Sequence, residues 1–446
     1  MADGFSSKGT ARIDRRLWLA LAALVAISLL VRMVLVLNSR ARASYDTPSY
    51  INAAEAIATL DFSRYDGRRT PVYPALLVLA GMDFDNVRLI QALLGIGIAA
   101  MLFTITWYRT RSPTMSFIVG VLGSLSLMEL LYEQIIYSET MCTFWVVLSL
   151  LAYARIELRK RASWWDYGLL GAAAALAGMT RPMFLYLGPL YLGLMLMERR
   201  GIELRNVRNV RRTLILAPTL LLALGWSVVN KHTIGYFGVT TTTGFNLSNH
   251  SGAFMELAPA KYNQIAQIYL RYRTGQMEKL GSQTMTIWYA EGEIERKTGL
   301  SPPELSKALT RMSLEMFAEH PLRYLESVSR GWSRFWGIGI YAFVRTYPRR
   351  SSMYWLLFGL GSLQLAINAA FLAISGYSIA RLLMRRASFD FELGVIAIVL
   401  VASVVQAFME YGENARYLAP VAPLMTYVVV TFAWRALRMR SDASIQ

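Results

Sequence analysis

The sequence predicts an all-α, polytopic membrane protein with about ten transmembrane helices. Of its 446 residues, 55% are hydrophobic and only 17% are charged, and the mean hydropathy is +0.36, which is too apolar for a soluble chain of this length. Apolar stretches recur at about the 20 residues that cross the hydrocarbon core of a bilayer. They lie roughly at residues 17–37, 88–108, 115–134, 138–155, 166–180, 183–198, 213–231, 353–380, 392–410 and 415–436.

Two of these stretches, on either side of Thr180, Arg181 and Pro182, are short. They are consistent with two spans, or with one bent hairpin or re-entrant pair, so nine or eleven spans are alternatives to ten. The first stretch is predicted to be an uncleaved anchor and not a signal peptide, because its apolar run is too long and contains Arg32.

Basic residues predict the orientation, because Lys and Arg are retained on the cytoplasmic side of the membrane. The connections that carry them alternate along the chain, at residues 8–16, 109–111, 155–161, 199–212, 385–386 and 435–440. Both termini are therefore expected in the cytoplasm. The basic cytoplasmic connections then account for much of the net charge of +17, and they are expected to attract anionic lipid. Nucleic acid is not an expected partner.

Two predicted outward connections are too long to be turns, and function is expected there. They are the first extramembrane segment, residues 38–87, and the second extramembrane segment, residues 232–352. Three regions follow: an N-terminal transmembrane module, 1–231, whose first outward loop is the expected catalytic loop; the membrane-associated segment 232–352; and the C-terminal transmembrane helices, 353–446.

The first extramembrane segment predicts a surface helix that begins at Asp46 or Thr47, with Pro48 in its first turn. The later prolines, Pro71 and Pro74, are expected to break any regular helix. Basic residues in this segment violate the charge rule and call for another explanation. They are Arg40, Arg42, Arg64, Arg68 and Arg69.

The second extramembrane segment opens with the polar run GVTTTTGFNLSNHSG at residues 238–252 and then predicts helices at about 259–297 and 302–345. It is expected to cap the membrane. An interfacial aromatic belt is predicted at Trp332, Phe335, Trp336, Tyr341 and Phe343.

Charged residues at span ends mark polar interiors or the membrane rim, because each costs about 2.5 to 3.5 kcal/mol when it faces lipid at mid-membrane. Each also has a simpler interpretation: Asp46 and Glu139 as helix caps, Arg181 and Arg416 as headgroup anchors. Topology predicts that these ends share one face. The residues are Asp46, Glu55, Glu129, Glu133, Glu139, Arg181, Glu410, Glu413 and Arg416, with Glu129 and Glu133 expected at the rim.

Several other motifs favour structural roles. The sequence Asp83-Phe84-Asp85 imitates a metal-binding DxD but is expected to cap the next span. The three histidines, His232, His250 and His320, lack metal-ligand spacing and are predicted at the surface. No nucleotide-binding glycine loop and no serine-hydrolase elbow is present, and the single Cys142 allows no internal disulfide.

In six short motifs and in the order of these motifs along the chain, the sequence resembles the polyprenyl-phosphate-sugar glycosyltransferases of the GT-C superfamily. This group includes the protein O-mannosyltransferases and the lipid A aminoarabinose transferase. The resemblance covers most of the chain. The motifs are YDTPSY at 45–50, RRTPVYPALL at 68–77, LIQALLG at 89–95, YSET at 137–140, GMTRP at 178–182 and ENARYLAPVAPL at 413–424.

The resemblance implies an inverting transfer of a sugar from a polyprenyl-phosphate donor to a glycan, glycolipid or protein acceptor, at the outer face of a bacterial inner membrane. It assigns catalysis to Asp46, as general base, and to Glu139, a second carboxylate that orients the acceptor or binds a sugar hydroxyl. No cofactor is expected, and dependence on a divalent metal is left open. Substrate binding is assigned to Arg68, Arg69, Tyr73, Arg181, Arg416 and Tyr417, with the arginines holding the phosphate.

Two other functions remain as alternatives. A lipid or polysaccharide carrier is expected to show inverted repeats and broken helices around a site at the bilayer midplane, and the sequence shows no internal repeat. A non-enzymatic assembly protein would not need acids and arginines gathered at one face. The glycosyltransferase is therefore the leading hypothesis.

Overall fold

A computed structural model describes residues 15–159, 162–197, 211–338 and 349–443. Throughout these ranges the regular structure is helical, and the only extended pairing in them is one isolated bridge between Arg42 and Ile135. The predicted all-α class is confirmed. The basic positions 8–14, 160–161 and 199–210 lie outside the described residues.

The described helices are numbered here in chain order. They are α1 (Arg15–Asn38), α2 (Thr47–Thr59), α3 (Val72–Leu79), α4 (Phe84–Thr110), α5 (Pro113–Ser124), α6 (Leu127–Tyr132), α7 (Glu139–Leu158), α8 (Trp164–Thr180), α9 (Leu187–Met197), α10 (Leu216–Ile234), α11 (Thr243–Ser251), α12 (Asn263–Leu280), α13 (Thr286–Thr298), α14 (Pro302–Glu319), α15 (Pro321–Phe335), α16 (Ser352–Leu383), α17 (Phe391–Met409) and α18 (Ala422–Ala443). Short 3₁₀ helices lie at Pro182–Tyr186, Gly252–Leu257, Ala260–Tyr262 and Asn414–Val421.

Seven helices in the described part of the chain, not ten, are long and apolar enough to cross a membrane. They are α1, α4, α7, α10, α16, α17 and α18, and they make the chain a multi-pass membrane protein. The expected span at 115–134 is divided into α5 and α6 by the residues around Leu125. Alone, the 12 residues of α5 reach about 18 Å, short of the roughly 30 Å hydrocarbon core.

The second difference in the span count lies at the break expected around Arg181. Helix α8 ends at Thr180, Arg181 has an extended backbone, and a 3₁₀ helix begins at Pro182. This follows from sterics, because proline disfavours the α conformation in the residue before it. Since α8 has 17 residues and α9 only 11, neither reaches full spanning length.

The main hydrophobic core lies between α4, α7, α8, α17 and α18, where side chains such as Leu102, Val146, Leu170, Val399 and Tyr427 are fully or almost fully buried. Helices α1, α10 and α16 expose most of their apolar side chains, as lipid-facing helices at the perimeter do. The ends of the central helices position the candidate site.

In the first extramembrane segment, α2 begins at Thr47 with Pro48 in its first turn, as predicted. The expectation that prolines break the next stretch was wrong, because Pro71 precedes α3 and Pro74 lies in its first turn. Backbone N–H groups in the first turn have no intrahelical acceptor, so proline loses nothing there.

In the second extramembrane segment, α11 to α14 pack around a hydrophobic core of their own, and the polar run is partly helical, as α11. The predicted aromatic belt is wrong for Phe335 and Trp336, which are buried in the main core, whereas Trp332 is partly exposed. The last two belt residues, Tyr341 and Phe343, lie outside the described residues.

Candidate active site

Five side chains from distant parts of the sequence converge at one end of the helix bundle and form the arginine–carboxylate cluster: Asp46, Arg69, Glu139, Arg181 and Arg416. They come from the starts of α2 and α7, the loop before α3, the break after α8 and the 3₁₀ helix before α18. Backbone hydrogen bonds between Arg42 and the chain at Gln134 and Ile136 hold the first extramembrane segment against the start of α7.

The Asp46 carboxylate is held by two arginines, and it does not cap α2. Its Oδ1 lies 2.7 Å from Nη2 of Arg69, and its Oδ2 lies 2.8 Å from Nη2 of Arg416. Although Asp46 occupies the cap position of α2, its side chain accepts no hydrogen bond from the helix backbone. Arg69 is oriented in turn by a 2.7 Å hydrogen bond from Nε to Oγ of Ser49.

Glu139 likewise accepts from two arginines through a single oxygen. Its Oε1 lies 2.5 Å from Nη1 of Arg181 and also bonds Nε of Arg416. Arg416 therefore bridges both carboxylates, and its Nη1 reaches Glu413 at 2.9 Å. The second oxygen of Glu139, Oε2, is buried and has no hydrogen-bond partner among the described residues.

Aromatic rings support the three guanidinium groups. Arg69 lies 4.3 Å from the ring centroid of Tyr50, Arg181 lies 4.7 Å from that of Tyr417, and Arg416 lies 3.8 Å from that of Tyr137. Cation–π contacts of this kind are worth more when the partners are desolvated. The rings also limit the orientations open to each arginine, so the cluster presents its cations in a fixed arrangement.

The charge state of Asp46 follows from two opposing effects. Burial raises the pKa of the carboxyl, but the guanidinium groups of Arg69 and Arg416 lower it by more, and the resulting pKa lies well below the usual range for aspartate. Asp46 is therefore ionised, and a weak base, as long as both arginines face it.

Of the predicted substrate-binding residues, Arg68 lies away from the cluster and Tyr73 lies behind it, with its ring centroid 4.7 Å from that of Tyr50. Arg68 turns to the second extramembrane segment, where it pairs with Glu291 and lies 5.4 Å from the ring centroid of Trp288. Tyr73 is fully buried and donates a 2.8 Å hydrogen bond to Gln91. The structure thus groups Asp46, Glu139, Arg69, Arg181, Arg416 and Tyr417, leaves Arg68 outside, and connects Tyr73 to the group through the ring of Tyr50.

Two further expectations are corrected by burial. Glu129 and Glu133 are not rim residues, because both are buried and Glu133 pairs with Arg32 at 2.6 Å. His250 is not at the surface: it is fully buried, its Nδ1 shares a 2.8 Å hydrogen bond with Ser327, and burial lowers its pKa to about 4.

Sequence reasoning did not assign the groups that orient the cluster, namely Ser49, Tyr50, Tyr137 and Glu413. All four lie inside the motifs YDTPSY, YSET and ENARYLAPVAPL, so the motifs themselves contained the signal. By contrast, Asp83 caps α4 as predicted, accepting from the backbone N–H groups of Asp85 and Asn86. Across the described residues, no group of three or more His, Cys, Asp or Glu is arranged to hold a metal ion.

Helical spans and a charged cluster at their ends together define a polytopic membrane protein with a candidate site at one face of its bundle. No known protein family and no curated protein matches the chain in sequence. Similar solved structures exist.

One is ArnT from Cupriavidus metallidurans in the apo state, with a TM-score of 0.40 and 15% identity, covering 93% of this chain and 77% of that one. Another is the archaeal oligosaccharyltransferase AglB from Archaeoglobus fulgidus, in complex with an inhibitory peptide and a dolichol-phosphate, with a TM-score of 0.49 and 14% identity. This match covers 96% of the chain but only 51% of AglB. With TM-scores below 0.5 and identities of 15% and 14%, these matches assign neither a family nor an activity to this chain.

Proposed function

We propose that the chain is an inverting glycosyltransferase that moves a sugar from a polyprenyl-phosphate donor to an acceptor hydroxyl at the outer face of a bacterial inner membrane. The observation that carries the proposal is the arginine–carboxylate cluster, in which Arg416 bridges Asp46 and Glu139. It supplies a base and a set of fixed cations within hydrogen-bonding distance of each other, as transfer from a phosphate-linked sugar requires.

The donor phosphate binds where the cations converge. Arg69, Arg181 and Arg416 are balanced by Asp46, Glu139 and Glu413, so a phosphate group binds the guanidinium groups in competition with these carboxylates. Guanidinium groups recognise phosphate oxygens through paired N–H donors, and they stabilise the negative charge that grows as polyprenyl phosphate leaves. Phosphate leaves without protonation, so no general acid is needed.

Donor binding also activates the base. When phosphate binds Arg69 and Arg416 beside Asp46, its negative charge offsets theirs, so the effect that lowers the pKa of this carboxyl weakens while burial still raises it. Asp46 is then basic enough to take the acceptor proton. The acceptor oxygen forms a bond to the anomeric carbon, the bond from that carbon to the phosphate oxygen breaks, and the configuration inverts.

Glu139 positions a hydroxyl group. Its Oε2 is buried without a partner among the described residues, and such an acceptor costs about 1 to 3 kcal/mol until a donor satisfies it. A hydroxyl of the sugar or of the acceptor is a suitable donor. Because Oε1 is held by Arg181 and Arg416, Oε2 keeps a fixed direction.

The test is turnover by purified protein in nanodiscs, offered a panel of polyprenyl-phosphate sugars. Asp46→Asn should reduce kcat by about 10² to 10⁴, the usual contribution of a general base, while donor binding is retained. Asp83→Asn is the matched control, since Asp83 caps α4 away from the cluster and Asn is an equally good cap. If Asp46→Asn turned over the donor at the wild-type rate, Asp46 would not be the base.

A second measurement identifies the substrates independently of any variant. Mass spectrometry of membrane lipids and surface glycans, with and without the gene, should show a donor that accumulates and a glycan that loses one sugar when the protein is absent. Unchanged lipids and glycans would argue against transfer altogether.

A further inference from the structure

Helix α15 has three faces, although a helix on the surface of a soluble protein usually has two. At 3.6 residues per turn, side chains three and four positions apart share a face. The protein-facing side carries Val328, Gly331 and Phe335, all buried. The charged side carries Arg323, Glu326 and Arg330. The third side carries Leu322, Leu325 and Trp332, which are 80%, 49% and 38% exposed, with the exposed Ser329 between the last two.

The contacts of α15 fix its depth in the bilayer. The hydroxyl of Tyr324 donates a 2.7 Å hydrogen bond to the carbonyl oxygen of Phe408, one residue before the end of the spanning helix α17. Nε1 of Trp332 donates to Oγ of Ser403 at 3.1 Å. Ser403 lies six residues before Met409, which is about 9 Å along the helix. Helix α15 therefore lies against the outermost part of a transmembrane helix.

Helix α17 exposes apolar side chains next to the residues that contact α15. Val404 and Phe408 of α17 are both more than one-third exposed, at the same level as Leu325 and Trp332. An apolar surface at this depth is surrounded by acyl chains and headgroups, and long basic side chains extend from such positions toward the headgroups.

We propose that α15 is an interfacial helix, with Leu322, Leu325 and Trp332 in the acyl-chain boundary of one leaflet and with Arg323 and Arg330, which line a cavity against residues 253–257, on its water side. The occupant of the exposed face is the lipid of that leaflet. This placement does not depend on the proposed glycosyltransferase activity.

The position of α15 sets the position of the loop that carries Arg416. A Cβ on Gly331 would lie 3.3 Å from Nδ2 of Asn414 and 3.5 Å from the carbonyl oxygen of Glu410, so glycine lets the helix approach the loop closely. Asn414 donates to that carbonyl at 2.8 Å and accepts from the N–H of Gly412 at 3.0 Å, which ties the loop into one unit. Helix α15 thus transmits the level of the membrane surface to the arginine–carboxylate cluster.

The test is the accessibility of spin labels in the full-length protein, reconstituted in lipid nanodiscs. Cys142 is fully buried, so the unmodified protein should take up little label and serves as the blank. Single cysteines replace Leu322 or Leu325 on the apolar face and Arg330 on the charged face. Leu221→Cys on the exposed side of α10 is the lipid reference, and Lys297→Cys on α13 is the water reference.

Labels at Leu322 and Leu325 should collide with oxygen as often as the label at Leu221, and several-fold less with a water-soluble nickel chelate than the label at Lys297. The label at Arg330 should be more accessible to the chelate than both. High chelate accessibility at Leu322 and Leu325 would place the face in water, and protection from both reagents would mean that protein covers it; either result overturns the proposal.

The connection to the loop is tested in the same system. A label at Glu413→Cys reports the depth of the loop, and Leu322→Asn with Leu325→Asn should raise its accessibility to the chelate, because the helix then leaves the acyl-chain boundary. The control pair, Leu322→Val with Leu325→Val, keeps the face apolar and should leave the Glu413 label unchanged. Equal accessibility in the two pairs would disprove the connection.

Discussion

Two groups of arginine and carboxylate side chains in this molecule differ in how their charges are shared. In the buried pair, Arg32 and Glu133 contact each other at 2.6 Å, and their side chains are only 2% and 0% exposed. Nη1 of Arg32 adds hydrogen bonds to Ser124 and to the carbonyl oxygen of Ser28. In the arginine–carboxylate cluster each acid is shared by two arginines, and Asp46 remains 24% exposed.

The difference indicates different roles. The buried pair is packed closely against α4, where a Cβ on Gly95 would lie 2.0 Å from Oε1 of Glu133, although Oε2 of Glu133 and Nε of Arg32 have no hydrogen-bond partner among the described residues. The cluster lies at the meeting point of loops, and its arginines share their acids with one another, which suits exchange of a carboxylate for a phosphate. One arrangement stabilises the bundle; the other is organised for binding.

The largest expected effect is on stability at the buried pair. Glu133→Ala leaves the Arg32 guanidinium buried without a counter-ion and should destabilise the protein by about 3 to 5 kcal/mol. Asp46→Ala should cost less than Glu133→Ala, because Arg69 and Arg416 remain partly solvated and keep other partners. Unfolding of the purified variants by heat or denaturant measures both.

A double variant is the control for this comparison. Arg32→Met with Glu133→Leu removes both charges and fills the space with apolar side chains, so its stability should return close to the wild-type value. A large loss in the double variant, or equal losses for Glu133→Ala and Asp46→Ala, would contradict the distinction between a structural pair and a binding cluster.

The next effect concerns the affinity of the cluster for its donor. Arg416→Ala removes the cation that bridges Asp46 and Glu139, and it should weaken binding of a polyprenyl phosphate by about 10-fold to 100-fold, which corresponds to about 1.4 to 2.7 kcal/mol. Titration in nanodiscs measures the affinity. Arg64→Ala, an exposed arginine of the same extramembrane segment as Arg69, should bind as the wild type does. Equal affinity in all three proteins would rule out the assignment of Arg416 to phosphate.

The sequence predicts which side of the membrane a charged residue lies on, but it does not predict contacts between residues that are far apart in the sequence. Span topology and the motifs grouped Asp46, Glu139, Arg181 and Arg416 at one face, because alternate span ends share a side of the membrane. The contacts between them did not follow. Glu133 was expected at the rim because its partner, Arg32, is 101 residues away and no local pattern links the two.

The partners of Arg68 and Arg69 could not be predicted from the sequence either. They are adjacent in a loop without periodicity, yet one pairs with Glu291, 223 residues away, and the other with Asp46. Gly67, with φ of +75°, turns the chain just before them. Hydrogen bonds from Thr240 and Thr241 then hold the backbone of this turn against the second extramembrane segment. The direction of each arginine is thus decided by tertiary packing, which the sequence alone does not reveal.

The smallest expected effect concerns the pH dependence of kcat/KM. In the wild type, kcat/KM should show no acid limb, that is, no decrease toward low pH that is due to Asp46. Burial raises the pKa of Asp46, but Arg69 and Arg416 lower it by more, so the folded pKa lies below the unfolded value of about 3.9. The stabilisation from these ion pairs is therefore complete above that value and is lost only as the pH falls through the lower folded pKa. Between about pH 5 and pH 7 Asp46 stays ionised, and kcat/KM, which reports the free enzyme, should not decrease on its account.

The pKa of Asp46 should shift upward when one of its two arginines is removed. In Arg69→Gln the effect of burial is opposed by Arg416 alone, so the pKa of Asp46 rises and an acid limb should appear in the pH profile of kcat/KM. Arg64→Gln, which keeps the cluster intact, should retain the flat profile. A wild-type acid limb near pH 6 that vanished in Asp46→Asn with residual activity would mean that Arg69 and Arg416 do not hold Asp46 as an ionised acid. Asp46 would then be neutral below that pH, and its ion pairs with Arg69 and Arg416 would not form there.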